Sequence, residues 1–222
     1  MGQQEQWGAV DRYFEGMLVG ADPVMEGVLA ASAAAGLPSI QVTAGQGKLL
    51  YLLARIMGAR RILEIGTLGG YSTIWLARAL PAGGVVVTLE VDERYAEVAR
   101  GNVERAGLSE VVEVITGRAV ETLGQLAAEG RGPFDLIFID ADKQSNPEYF
   151  GWAMKLSRPG SVIVVDNVVR EGRVIEEGSE DASVRGVRRC MELMAAEPRF
   201  SATAMKTVGG KGWDGFVVGV VK

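Results

Sequence analysis

Short apolar runs alternate with longer stretches of helical periodicity from Arg61 onward. Each run is rich in Val, Ile and Leu, and the segment after it repeats its apolar residues every three or four positions. This alternation predicts buried strands joined by helices, which is the pattern of a parallel sheet. The predicted strands are 61–65, 85–90, 111–115, 134–140 and 161–166, and the predicted helices are 71–80, 93–106, 119–128 and 146–156.

The beginning of the chain has a helical pattern throughout. Apolar residues recur at the spacing of one helix face from Trp7 to Leu18, and two further helical segments begin near Asp22 and Thr43. We therefore expect one domain over the whole chain, with a helical N-terminal arm over 1–57 and a sheet-containing core over 58–222.

The end of the chain predicts a different pairing of strands. After a polar loop over 171–181 come a helix near 183–196 and two strands, 199–206 and 215–221, joined by the turn GGKGWDG. Because these strands follow each other so closely, they predict an antiparallel hairpin at or near a sheet edge. The expected fold class is α/β: a Rossmann-like, doubly wound, mostly parallel seven-stranded sheet with an antiparallel C-terminal hairpin and N-terminal helices.

The composition removes several classes of function. A net charge of −5 gives no basic bias toward nucleic acid, and no apolar run approaches the roughly 20 residues of a membrane span, so we expect neither as a partner. A single cysteine, Cys190, and an N-terminus without a signal-peptide pattern predict a cytoplasmic protein. The sequence contains no histidine, which excludes Ser-His-Asp catalysis and imidazole ligation of a metal.

The most informative motif lies where the first predicted strand ends. The sequence RILEIGTLGGY runs from a buried strand into a glycine-rich turn, and the next strand ends in a carboxylate at Glu90. In α/β proteins this arrangement holds a nucleoside, because the glycines admit the ligand and the carboxylate accepts the ribose hydroxyls. Leu68 stands where a pyrophosphate-binding turn has glycine, which favours S-adenosylmethionine over NAD. An NAD-dependent oxidoreductase and a non-catalytic nucleoside-binding module stay open as alternatives.

A second group of polar residues follows the fourth and fifth predicted strands, in IDADK at 139–143 and VVDN at 164–167. Adjacent strands ending in Asp140 and in Asp166 and Asn167 bring three oxygen donors together, a set suited to Mg²⁺. Lys143, beside such an ion and partly buried, would have a lowered pKa and serve as a general base. The competing interpretations are carboxylates that cap helices and an ordinary surface lysine.

These motifs together resemble a known family. LEIGTLGGYS, the LE at 89–90, FIDADK and VVDN occur in an order and spacing similar to those of the cation-dependent class I O-methyltransferases, the group of the caffeoyl-CoA and catechol enzymes. The resemblance extends from about Ser39 to the KGWDGF hairpin. It implies methyl transfer from S-adenosylmethionine to a hydroxyl of a catechol-type phenolic or related small molecule, with Mg²⁺, Mn²⁺ or Ca²⁺ as cation and a homodimer as assembly.

The resemblance also implies roles for individual residues. Lys143 would be the catalytic base, acting with Asp140 and Asn167, and the cation ligands would be Asp140, Asp166 and Asn167. The implied cofactor-binding residues are Val42, Glu64, Gly66, Thr67, Ser72, Glu90, Ala119 and Asp140. The chain departs from the family at two positions: Asn146 replaces a tyrosine of many relatives, and Leu68 replaces an aromatic residue of the catechol enzyme. Contacts with the acceptor are therefore expected to differ there.

Overall fold

Seven strands form a mixed sheet in the computed structural model, which describes residues 2–222. In chain order the strands are β1 (Arg61–Ile65), β2 (Val85–Glu90), β3 (Val112–Thr116), β4 (Leu136–Ile139), β5 (Val162–Asp166), β6 (Phe200–Gly209) and β7 (Gly212–Val221). Their order across the sheet is β3-β2-β1-β4-β5-β7-β6. The pairs β1/β2, β2/β3 and β4/β5 are parallel, and β7 runs antiparallel to both β5 and β6. The predicted fold class is therefore confirmed, with the hairpin at one edge of the sheet.

The helices fall largely where their apolar periodicity predicts them. Within the described residues they are α1 (Gln3–Leu18), α2 (Pro23–Ala34), α3 (Ala44–Ile56), α4 (Tyr71–Arg78), α5 (Glu93–Arg105), α6 (Ala119–Ala128), α7 (Asn146–Lys155) and α8 (Ala182–Ala196). The first three precede the sheet, as expected of a helical arm. Over residues 2–222, no helix combines the length and the apolar character that crossing a membrane requires.

Contacts within the chain group the residues into two compact units. One comprises Phe14–Thr122, and the other comprises the residues up to Tyr13 together with Leu123–Lys222. Neither boundary lies at residues 57 and 58, where the sequence places the junction of arm and core. The single domain with a helical arm stays a prediction.

The unit Phe14–Thr122 holds the glycine turn between two buried elements. β1 is buried from Ile62 onward, and every residue of α4 from Tyr71 to Ala77 is buried. Gly47 of α3 packs so closely on α4 that a Cβ there would lie 2.3 Å from the indole ring of Trp75. The turn between β1 and α4 is therefore anchored at both ends.

The other unit joins β4 to β7 with α7 and α8. Its loop after β4 contains a short 3-10 helix, Lys143–Ser145, and α8 packs directly on that helix. A Cβ on Gly186 of α8 would lie 2.2 Å from the carbonyl oxygen of Lys143 and 2.6 Å from the Cα of Gln144. Only glycine therefore allows the backbone of α8 to approach the loop this closely.

Three differences from the predicted elements have physical causes. The strand predicted over 134–140 is shorter, because the N–H of Phe134 donates to the carbonyl of Leu156 at the end of α7. The predicted polar loop contains a second 3-10 helix, Arg170–Ile175, broken by the positive φ of Glu171 (57°). Both hairpin strands are longer than predicted because the pairing continues through Thr207 opposite Asp214 and ends at Gly209 opposite Gly212.

Candidate active site

Glu64 lies at the centre of a ring of hydroxyl groups at the end of β1. Its carboxylate is fully buried, and it accepts hydrogen bonds from the hydroxyls of Ser72 (2.6 Å), Thr88 (2.7 Å) and Thr73. Since the Thr88 hydroxyl donates to Glu64, the hydroxyl of Thr67 donates to Thr88 across 2.6 Å. Three of the predicted cofactor residues, Glu64, Thr67 and Ser72, thus belong to one hydrogen-bonded network joining β1, β2 and α4.

Glu90 connects the glycine turn with the end of β2. One carboxylate oxygen, Oε2, accepts the N–H of Leu68 at 2.8 Å, and the other, Oε1, accepts the N–H groups of Val91 and Asp92 at 2.9 and 3.0 Å. A carboxylate has about four acceptor positions, so three backbone donors leave capacity for a ligand hydroxyl. Sequence reasoning assigned Glu90 to the ribose alone, whereas the structure also gives it a role in holding the turn.

The glycines of the turn are required for different physical reasons. Gly66 and Gly70 adopt φ values of 102° and 80°, which residues with a Cβ rarely adopt. Gly69 is required by packing, because a Cβ there would lie 2.3 Å from the hydroxyl oxygen of Ser32 in α2. Leu68 has a φ of 51° and is held in that conformation by its hydrogen bond to Glu90.

The remaining predicted cofactor residues lie elsewhere in the chain. Val42 is buried in the loop that precedes α3, and Ala119 is the first, half-buried residue of α6. Asp140, the third, follows β4 in the other unit. The cofactor roles of these three residues stay predictions.

Asp140 and Asp166 end neighbouring parallel strands at the same level. Ile139 pairs with Val165 in the register of β4 and β5, so the residues that follow them, Asp140 and Asp166, are also adjacent. Asp166 is buried, and its Oδ1 accepts the N–H of Asn167 at 2.8 Å. Asn167 has a positive φ of 54°, a conformation that asparagine tolerates better than most residues. Asp140 and Asp166 thus lie side by side at the edge of the sheet where β4 and β5 end, and Asn167 directly follows Asp166 in the chain.

Lys143 is a buried lysine whose ammonium contacts this edge. Its side chain is only 9% exposed, and Nζ donates to Oδ1 of Asp140 at 2.7 Å. The interpretation of Lys143 as an ordinary surface lysine is therefore wrong: the side chain is buried and its polar end is turned toward the Asp140 carboxylate.

The loop that carries Lys143 is anchored by Asp142 and Tyr149. The Asp142 carboxylate accepts the N–H of Ser145 at 3.2 Å and the hydroxyl of the buried Tyr149 at 2.5 Å. Burial raises the pKa of the Asp142 carboxyl, but the hydrogen bonds from Ser145 and Tyr149 outweigh it and leave that pKa below its ordinary value. Burial, reinforced by Asp142, raises the pKa of the Tyr149 hydroxyl. The pair therefore stays a charged acceptor and a neutral donor at neutral pH.

The donor set at the β4 and β5 ends suits a hard cation but is small. It comprises two carboxylates and one amide, and in residues 2–222 no group of three or more Asp, Glu, His or Cys side chains meets the requirements of a metal site. Such a set has the oxygen chemistry of Mg²⁺ ligands and leaves coordination positions for water and substrate. The residues present thus fit the ion that the family resemblance implies.

Two residues of the Glu64 network carry no signal in the sequence. Thr73 and Thr88 are ordinary helix and strand residues until the fold turns their hydroxyls toward Glu64. Asn146 is 1% exposed, and neither polar atom of its side chain has a hydrogen-bond partner within the part of the chain described. The sole cysteine, Cys190, is buried, which raises its pKa to about 12 and removes it from nucleophilic chemistry.

A seven-stranded sheet with one antiparallel strand, a glycine turn after β1 and a buried carboxylate at the end of β2 are typical of a Rossmann-like enzyme that holds a nucleoside cofactor. A family model described as O-methyltransferase matches residues 18–214, and the chain therefore belongs to the O-methyltransferase family. It is an S-adenosylmethionine-dependent O-methyltransferase. The alternatives of an NAD-dependent oxidoreductase and a non-catalytic nucleoside-binding module are wrong.

Individual relatives agree with this assignment over their full length. The chain is 53% identical to a catechol O-methyltransferase from Mycobacterium tuberculosis, over 100% of this chain and 99% of the relative. An O-methyltransferase from Bacillus cereus, solved in complex with SAH, is 60% identical, with a TM-score of 0.98 over 99% of this chain and 100% of that structure. The O-methyltransferase TomG from Streptomyces achromogenes, solved in complex with SAM, is 50% identical, with a TM-score of 0.97 over 100% of both chains.

The hydrogen bonds of Glu90 lead to a prediction about the affinity for the cofactor product, S-adenosylhomocysteine. Glu90→Ala removes a charged acceptor worth about 1.5 to 3 kcal/mol, so S-adenosylhomocysteine is expected to bind about 10- to 150-fold more weakly in calorimetry. The midpoint of thermal unfolding is also expected to fall, because three backbone N–H groups lose their acceptor.

The matched control is Glu93→Ala, three residues further along. Glu93 is exposed and forms an ion pair with Arg100 (3.0 Å) on the surface of α5. Its loss is expected to change neither affinity nor stability appreciably. Equal affinities of the Glu90 variant and the Glu93 variant would remove Glu90 from the cofactor site.

Proposed function

We propose that this O-methyltransferase is cation-dependent and methylates a hydroxyl of a catechol-type phenolic. The observation that carries the proposal is the buried Lys143, whose Nζ lies 2.7 Å from Oδ1 of Asp140 at the edge that also holds Asp166. The name of the Mycobacterium tuberculosis relative, a catechol O-methyltransferase, supports the class of acceptor.

Lys143 is the proposed proton acceptor. As the acceptor oxygen bonds to the methyl carbon and the carbon–sulfur bond breaks, the hydroxyl proton passes to Nζ of Lys143. The products are a methyl ether, S-adenosylhomocysteine and a protonated lysine that returns its proton to water. Burial and the anchored loop fix the amine in one place, which lowers the entropy cost of the transfer.

The proposed cation ligands are Asp140, Asp166 and Asn167. A bound divalent cation would supply Lewis-acid chemistry, which acidifies and orients neighbouring hydroxyls. Oδ1 of Asp140 accepts a hydrogen bond from Nζ of Lys143, so the carboxylate has a second oxygen with which to act as ligand. Two vicinal hydroxyls match a small donor set better than one, which favours a catechol over a simple phenol.

On the cofactor side, we assign Glu90 to the ribose hydroxyls and the Glu64 network to the methionine end. Glu64, Thr67 and Ser72 present a buried polar surface directly beneath the turn that begins at Gly66. S-adenosylmethionine carries positive charge on its sulfonium and amino groups, and buried carboxylates stabilise such charge. Val42 and Ala119 are proposed to line the methionine region and the adenine, respectively.

The test is a turnover assay with purified protein, S-adenosylmethionine, Mg²⁺ and paired acceptors. Catechol is expected to yield a monomethyl ether detectable by mass spectrometry, whereas phenol, with one hydroxyl, is expected to react far more slowly. Equal rates for both acceptors would contradict a catechol-specific site.

The homodimer is supported by the exposed side of α1. Val10, Phe14 and Met17 are 47%, 54% and 70% exposed at the spacing of one helix face, and apolar surface of this kind favours association. The homodimer and the cytoplasmic location stay predictions, which light scattering of the purified protein and cell fractionation test.

A further inference from the structure

The turn between β6 and β7 extends past the carboxyl end of β5. Asp166, the last residue of β5, pairs with Phe216 of β7. Because the two strands are antiparallel, the residues of β7 before Phe216 continue beyond that end, and the turn that closes the hairpin at Gly209 and Gly212 follows them. This places the turn, which contains Lys211, on the side of the sheet where Asp140 and Asp166 lie.

Contacts on two sides fix the position of the turn. On one side the N–H of Gly210 donates to Oδ2 of Asp11 in α1 at 2.7 Å, and Gln4 donates to the carbonyl of Gly210 at 3.1 Å. On the other side Oδ1 of Asp214 accepts the N–H groups of Val169 and Arg170 at 3.0 and 3.1 Å. A turn held in this way carries its lysine to a defined place.

The ammonium of Lys211 interacts with the proposed cation ligands. Partial desolvation lowers the pKa of Lys211, and the negative charges of Asp140 and Asp166 oppose that shift. Both carboxylates are therefore within electrostatic reach of the ammonium, while the side chain itself remains exposed to solvent and to an incoming molecule.

The charges at this edge then favour a negative acceptor. Asp140 and Asp166 contribute two negative charges, Lys211 contributes one positive charge, and Lys143 is neutral when it acts as the base. A divalent cation on the carboxylates makes the edge positive, and like charge repels an acceptor that is itself cationic while attracting one that is anionic.

We propose that Lys211 determines acceptor specificity by favouring catechols that carry an anionic substituent, such as a carboxylate on the ring or its side chain. This inference rests on the proposed catechol O-methyltransferase function. The ammonium on the hairpin turn meets the anionic group while the vicinal hydroxyls meet the edge formed by Asp140, Asp166 and Asn167. The alternative role of Lys211 is to balance the charge of the two carboxylates, whatever the acceptor.

The experiment compares 3,4-dihydroxybenzoate with the neutral 3,4-dihydroxybenzyl alcohol. For Lys211→Met, the ratio of kcat/KM for the benzoate to that for the alcohol is expected to fall about 5- to 20-fold, the effect of losing a partly exposed charged contact. Lys211→Arg is expected to restore most of the ratio, because it returns the positive charge. Lys206→Met, at an exposed lysine of β6 on the same hairpin, is expected to leave the ratio unchanged.

A ratio that stays within about twofold of the wild-type value in Lys211→Met overturns the proposal, whether both rates fall together or neither changes. Calorimetry of the two compounds with S-adenosylhomocysteine and Mg²⁺ separates this result from a failure of the proposed function. If the wild-type protein methylates neither compound, tighter binding of the benzoate that is lost in Lys211→Met still supports the role of Lys211, and equal binding by both proteins overturns it.

Discussion

Replacing Lys143 with methionine is expected to lower kcat by about 10²- to 10⁴-fold, the usual loss when a positioned proton acceptor is removed. Methionine keeps most of the length of the side chain and its apolar contacts but cannot accept a proton. Since Lys143 is buried against Asp140, folding is tested separately by thermal unfolding, and cofactor affinity by calorimetry with S-adenosylhomocysteine. Both are expected to change far less than kcat.

The dependence of the rate on pH and on the acidity of the acceptor distinguishes a general base from a lysine with only a structural role. Part of the lost rate is expected to return at higher pH, or with more acidic catechols such as nitrocatechol, because these acceptors lose their proton without help. The matched control is Lys155→Met, at an exposed lysine of α7 whose ammonium lies over the ring of Trp152. A kcat for Lys143→Met within about twofold of wild type at neutral pH would leave Lys143 without a catalytic role.

Removal of divalent cations is expected to abolish turnover, and Mg²⁺ or Mn²⁺ to restore it. The reason is that Asp140, Asp166 and Asn167 form an all-oxygen donor set, which binds hard cations. Without a bound cation, these residues have only weak affinity for a neutral catechol. Asp166→Asn removes one negative charge at nearly constant volume. It is expected to weaken Mg²⁺ binding in calorimetry by at least about tenfold and to lower activity in parallel.

The control for a general loss of negative charge is Glu148→Gln, at an exposed acid in the first turn of α7. It is expected to leave Mg²⁺ binding and turnover near their wild-type values. Full activity of the wild-type protein in EDTA would instead mean that the carboxylates at this edge serve only to hold Lys143 and the strand ends.

Sequence patterns predict the parts of this fold that depend on neighbouring residues. The bounds of β1 and β2 agree to the residue with the predicted strands 61–65 and 85–90, because each is a short apolar run ending at a glycine turn or a helix cap. The hairpin strands extend further than predicted, since β6 is mostly exposed and has no continuous apolar run to mark its length.

The candidate site likewise has one part that the sequence predicts and one part that it does not. Strand ends can be located from the sequence, and parallel strands bring their ends to one edge, so the neighbouring positions of Asp140 and Asp166 are predictable. The hydroxyls around Glu64 and the approach of Lys211 depend on side chains from distant segments, which periodicity does not encode. Gly69 shows what the sequence alone cannot predict. The glycine motif is visible in the sequence, but glycine is required at position 69 because the backbone packs against α2, not because it contacts a ligand.

The contact of Gly186 with the backbone of Lys143 bears on how this enzyme can be engineered. Lys143 and Gly186 of α8 are 43 residues apart in sequence, yet their backbones touch with no side chain between them. A chimera that receives α8 from a relative without a glycine at position 186 would press a methyl group or more into the loop. Loop and helix therefore form one transferable module, and a library that varies acceptor preference should exchange them together.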